Sequence, residues 1–223
     1  MAAALCVLSL VCPVPVAAHA GSVLRLGIDA SDLGTSDPHK AAARNDRIVV
    51  DMLFNGLVRY KPGRAPEIEP DLAAAIPTPR LEKGFQICQA GPDTDSYPMS
   101  ADDVVYSLKR AADPERSSYA GAYEGMSFRK VSAFEVDIVL EKPLSSILFF
   151  PKIADYAGGF IVCEKPTKAA DEQAAAPVGT GPFQLGTRQA NRSLRLDANP
   201  GYFRGKPILD GVEVLYLPDF KTR

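Results

Sequence analysis

The hydrophobic period of this chain switches between two and about 3.6 along its length, and this constrains the fold more than any other feature. Leu24, Leu26 and Ile28 alternate over 23–28, as on a strand with one buried face. Ile48, Val49, Met52 and Leu53 then share one side of a helix that Asn45 is placed to cap. That helix is expected to end near Asn55-Gly56, with Asn55 capping its end. Leu57 to Tyr60 reads as a short strand, and Asp71 to Ile76 as one helical turn inside a stretch holding five prolines, Pro62 to Pro79. Ser100-Ala101-Asp102-Asp103 is a capping box in which Asp103 reaches back to the helix start. Val104, Val105, Leu108 and Ala112 follow it, and Asp113-Pro114 stops the helix. Val131 to Leu140 alternates again, with Phe134, Val136, Ile138 and Leu140 on one face. Leu144 to Ile153 is apolar and interrupted by Pro151, and Ala169 to Ala176 is alanine-rich and reads as a helix. Ser193 to Asp197 and Val212 to Leu217 complete the strands, the last with Val212, Val214 and Tyr216 on one side. Helices and strands interleave without a strict repeat, so the predicted class is α/β in its mixed α+β form.

The first 20 residues stand apart. Met1 to Ala20 contains no Asp, Glu, Lys or Arg. The apolar run Ala2 to Val11 leads through Pro13 and Pro15 to Ala18-His19-Ala20, a small-x-small cleavage pattern, although no basic residue precedes the run. Two prolines exclude one continuous helix there. Residues 1–20 are therefore expected to be a secretory signal peptide and 21–223 the exported protein, placed in the periplasm. Cys6 and Cys12 go with the signal, and the bulky Leu5 and Val11 before them speak against a lipid anchor. Cys88 and Cys163 remain. An oxidising compartment permits a disulfide between them, and two separate buried thiols are the equal alternative.

Several function classes lose support on composition and residue type. The chain has 223 residues, 46% of them hydrophobic, and a net charge of -2 with acids and bases interspersed. No basic block is present to neutralise phosphates, so no nucleic-acid partner is expected. Outside the signal the single histidine is His39, with no nucleophile elbow near it in sequence. No Cys/His grouping has zinc spacing. Capping explains the adjacent Asp102 and Asp103, and Gly179-Thr180-Gly181-Pro182 lacks the spacing and the lysine of a phosphate loop. No catalytic residue, metal or cofactor is assigned.

Three stretches, in order, resemble the peptide/nickel-type solute-binding proteins of ABC importers, family 5. They are Leu53-Phe54-Asn55-Gly56-Leu57-Val58 before Glu69-Pro70-Asp71-Leu72-Ala73; Lys83-Gly84-Phe85 before Ser100 to Leu108; and Pro177 to Phe183, followed by Asn199 and Tyr202 to Pro207. The resemblance covers Leu24 to Pro218. It implies the first part of a bilobal, type II-like periplasmic binding fold and a non-enzymatic, monomeric protein. Such a protein binds a small organic solute of the peptide class and delivers it to a membrane permease. It also implies that Asp37, His39, Gly179, Thr180 and Gly181, in loops near the cleft, are the candidate ligand-binding residues. Plainer readings stand beside this one: a solvated His39, and Gly179 and Gly181 held in turns at positive φ. The chain departs from the family in two ways: it stops where the family crosses into a second lobe, and Ile76 to Lys83 is a strand too short. A remnant without function, a protein that only docks on a partner, and a secreted hydrolase using carboxylates are the competing readings.

Overall fold

A computed structural model describes residues 21–76, 97–154, 158–168 and 178–218, and the backbone of 87–88 and 169–172. The expected signal peptide and the shortened stretch beyond Ile76 lie outside the described residues.

A four-stranded sheet holds the two ends of the described chain together. Strand β1 (Val23–Ile28) pairs in parallel with β12 (Gly211–Tyr216), from Val23 opposite Gly211 to Ile28 opposite Tyr216. Strands β10 (Phe183–Gln189) and β11 (Ser193–Ala198) complete the order β1-β12-β11-β10 with antiparallel pairing. Parallel neighbours need a long crossover, and here nearly the whole of the protein forms it. The alternation in β12 works as read, since Val212, Val214 and Tyr216 are all buried. Helix α1 (Arg44–Leu53) packs Val49, Val50 and Leu53 onto Leu194, Leu196 and Val214 of the sheet. This is the first core.

The crossover builds a second core. Strand β2 (Asn55–Gly56) leads into the hairpin of β3 (Val58–Tyr60) and β4 (Ile68–Pro70). Short β5 (Ile87–Cys88) and β6 (Tyr97–Pro98) pair before helix α2 (Ala101–Ala111). A 3-10 turn (Ala120–Tyr123) precedes the hairpin of β7 (Met126–Ser132) and β8 (Glu135–Leu140). Helix α3 (Ser146–Ile153), strand β9 (Phe160–Ile161) and helix α4 (Glu164–Glu172) follow. Val104, Leu108 and Ala111 of α2 pack with Leu57, Leu72, Phe128 and Ile153. Strand β9 pairs with β2, Asn55 opposite Ile161 and Gly56 opposite Phe160. It divides its neighbours between the cores, with Phe160 in the first and Ile161 in the second.

The capping box of α2 forms as expected: the Ser100 side chain accepts from the Asp102 N–H at 3.2 Å, and Asp103 accepts from the Ser100 N–H at 2.8 Å. Other local expectations are corrected. Ala43, not Asn45, sits at the N-cap of α1, and Asn45 Nδ2 donates instead to the Asp29 carbonyl at 2.7 Å. The helix stops at Leu53 because Phe54 is already extended, which leaves Asn55 in a strand rather than a cap. Residues 71–76 make no helical turn. Their amides turn outward: Asp71 and Ala73 donate to the Leu57 carbonyl and Leu72 to that of Gly56. The strand expected over 131–140 is the second half of a hairpin, and its bend falls at Ala133-Phe134 between β7 and β8. The alanine-rich helix begins earlier, at Glu164, whose N–H donates to Asp103 Oδ1 at 2.9 Å.

Candidate functional site

Asp37 and His39 sit in the loop after β1, and the structure brings them together on Arg110 of α2. Asp37 closes a short turn on itself, accepting the His39 N–H at 3.0 Å. Arg110 then meets the carboxylate with both ends of its fork, NH1 donating to Oδ1 at 2.9 Å and NH2 to Oδ2 at 2.7 Å. NH1 also donates to His39 Nδ1 at 2.9 Å, while His39 Nε2 faces the Phe160 carbonyl at 3.1 Å. A carbonyl only accepts and a guanidinium only donates. His39 is therefore a neutral imidazole with its proton on Nε2. Burial alone would raise the Asp37 pKa, but the Arg110 bonds and charge, with the bond from the His39 backbone N–H, hold it below the usual carboxylate range.

This cluster is closed to solvent. His39 is 0% exposed and Asp37 7%, so His39 is not the solvated loop residue that the plainer reading expected. The trio joins the β1 loop, α2 and β9, spanning the two cores. It holds no nucleophile and presents no open face to a reactant.

Gly179, Thr180 and Gly181 form a strap across the C-terminal end of α1. A Cβ on Gly179 would lie 2.3 Å from the Phe54 ring, and one on Gly181 2.3 Å from the Leu53 carbonyl carbon. Gly181 donates its N–H to the Leu53 carbonyl at 3.0 Å. Close approach, not positive φ, is thus what requires glycine, since neither residue has φ above zero. Thr180 is buried, and its hydroxyl donates to Asn55 Oδ1 at 3.3 Å. The five candidate residues fall into two groups, the Asp37–His39 cluster and the strap, and both are used within the protein.

Cys163 is a buried free thiol in the second core. Its setting is apolar packing, the separate-thiol alternative for this residue, and the disulfide to Cys88 is not made in this structure. The Cys88 side chain lies outside the described residues.

Sequence reasoning missed Arg110, and a signal was available. Arg110 shares the buried face of α2 with Asp103 and Ser107, and a charge on such a face needs a buried partner. Ser107 shows the same logic. Its hydroxyl donates to the Asp103 carbonyl at 2.6 Å and accepts the Val162 N–H at 2.9 Å, stapling α2 to the chain beyond β9. Also missed was the polar group of Asn55, Asp71, Tyr202 and Arg204, which residues far apart in sequence assemble.

Open concavities lie elsewhere. One of about 450 Å³ is bordered by Glu124, Glu141, Lys142 and Lys152, and another of about 310 Å³ by Tyr60, Ile68 and Phe150. None of the five candidate residues lines either.

The mixed α/β fold matches solved periplasmic binding proteins. The structure superposes on the solved binding protein MoaA of A. tumefaciens R10, in complex with mannopinic acid, with a TM-score of 0.80 and 34% identity, covering 92% of this chain and 42% of that one. Di/tripeptide-binding protein 2 of Pseudomonas aeruginosa is 30% identical over 77% of this chain and 36% of its own length. Heme-binding protein A of Haemophilus influenzae is 29% identical with the same two coverages, 77% and 36%. The family profile described as bacterial extracellular solute-binding proteins, family 5 Middle, matches residues 93–223. The chain belongs to that family. Its members are solute-binding proteins, not enzymes, which removes the hydrolase reading. The chain spans about a third of the length of these curated relatives.

Proposed function

We propose that this chain contributes one wall of the solute site in the extracytoplasmic binding component of an ABC importer. Residues 1–20 act as its signal peptide, and 21–223 form the N-terminal part of the binding domain in the periplasm. The protein works as a monomer and hands its solute to a membrane permease. The observation that carries this reading is the match of the whole two-core body to MoaA, at a TM-score of 0.80 and 34% identity. The proposed solute class is a short peptide, supported by the resemblance of Di/tripeptide-binding protein 2. In this reading Asp37, His39, Gly179, Thr180 and Gly181 serve the cleft indirectly. They fix the loops that border it and do not touch the solute.

Heteronuclear NMR of residues 21–223 tests the solute class. The protein is titrated with di- and tripeptides, a sugar-acid conjugate and haem, up to millimolar concentrations. Peptides are expected to give weak, fast-exchange shifts confined to one face. Shifts from haem or the sugar acid alone would replace the peptide class, and a flat response to all three would oppose the binding role.

A further inference from the structure

The β11–β12 connection, residues 199–210, belongs to the sheet by sequence but reaches the other core. Phe203 packs against the second core. Beside it, Arg204 Nε donates to Asp71 Oδ1 at 3.0 Å and NH2 donates to the Pro70 carbonyl at 2.7 Å. The second Asp71 oxygen, Oδ2, accepts from Asn55 Nδ2 at 2.9 Å. The same amide nitrogen faces the Tyr202 hydroxyl at 3.3 Å, and Asn55 Oδ1 takes the Thr180 hydroxyl. Asn199 closes the group, its Nδ2 donating to the Gly181 carbonyl at 2.9 Å and its N–H to that of Pro182 at 2.8 Å. Four segments remote in sequence are joined: β2, the residues after β4, the strap 178–183 and the β11–β12 connection.

We infer that Arg204 is a latch, which fastens the β11–β12 connection to Asp71 across the seam and thereby holds the two cores as one body. The two partners differ in exposure. The Arg204 side chain is 31% exposed and that of Asp71 3%. Water can therefore take over the guanidinium when the pair opens, but it reaches the carboxylate only if the connection lifts away. A buried carboxylate without its cation is strongly unfavourable, so the connection stays down while Arg204 is in place. Through Asn55 the same carboxylate orders Thr180, which couples the latch to the strap. The latch stands independently of which solute the protein takes.

Native-state amide exchange on the full chain tests this, comparing wild type with Arg204→Gln and Arg204→Lys. Reporter amides are those of Asp71, Leu72, Gly181, Tyr202 and Gly205, all hydrogen-bonded at the seam. Controls are Leu196 and Val214 in the sheet and Leu108 in α2. In Arg204→Gln the reporters are expected to exchange about tenfold faster or more with the controls unchanged, the pattern of a local opening. Arg204→Lys, which keeps the charge but loses the fork, is expected to show the same pattern at a smaller factor. If Arg204→Gln does not fold, Arg204→Lys alone decides. Equal acceleration of reporters and controls, or no acceleration of the reporters, would overturn the latch.

Discussion

Arg110 is 4% exposed and carries a permanent charge, so its environment has to be built around it. Asp37 supplies the counter-charge and His39 a neutral acceptor, and both come from a loop with no regular structure of its own. Asp37→Asn therefore leaves the guanidinium short of its partner, and it is expected to cost about 3–5 kcal/mol at pH 7 in urea unfolding. The pH dependence has a definite sign. The folded-state pKa of Asp37 lies below its ordinary value. Its ionisation thus contributes stability that is fully present above the unfolded-state pKa, and that is lost as pH falls through the depressed folded-state value. The gap between wild type and Asp37→Asn is expected to be widest near neutrality and to narrow below about pH 4. A gap that stays constant into acid would show that the pair is not what Asp37 contributes. Asp37, His39 and the glycines were legible only through the family resemblance, which places them in loops near the cleft. Their partners were not. Arg110 lies 73 positions from Asp37, and Phe160 meets His39 through a backbone carbonyl that any residue type would supply.

Elements whose signals are local formed where the sequence placed them. Helix α2 carries its own start in Ser100 and Asp103, and β12 its own alternation in Val212, Val214 and Tyr216. Ser100→Ala is expected to lower stability by about 1 kcal/mol through loss of the cap, read from the urea midpoint. Elements whose bounds depend on partners were misread. The end of α1 is set by the strap, because the Gly181 amide binds the Leu53 carbonyl, which the helix leaves without an internal partner. Residues 71–76 run in bends, and the amides of 71–73 are held by the carbonyls of Gly56 and Leu57 rather than by each other. The contact between strap and helix end leaves no room for a side chain. Gly181→Ala is expected to destabilise by about 1–3 kcal/mol, from overpacking against the Leu53 backbone. Gly201→Ala is the control, since its nearest neighbour is the Asn199 side chain at 3.6 Å and no clash follows. Equal thermal midpoints for Gly181→Ala and wild type would remove the close-approach explanation.

At the scale of the molecule, two cores meet along a seam crossed by β9, the strap and the β11–β12 connection, with buried polar groups at both sides of it. In the proposed function such a body forms one firm wall for a solute. Binding proteins of this kind gain affinity by closing on the solute from two sides and excluding water. The chain spans 36% of the length of Di/tripeptide-binding protein 2 and 42% of the MoaA structure it superposes on. A dissociation constant near one micromolar requires about 8 kcal/mol. On the proposed reading residues 21–223 alone supply one wall, and with the solute's other face in water too few contacts converge to reach it. Calorimetric titration of residues 21–223 with di- and tripeptides measures this directly. The predicted result is weak binding, with a dissociation constant of about a millimolar or above, near 4 kcal/mol. Tight, saturable, one-to-one binding at about a micromolar would contradict the reading of this body as one wall of a shared cleft.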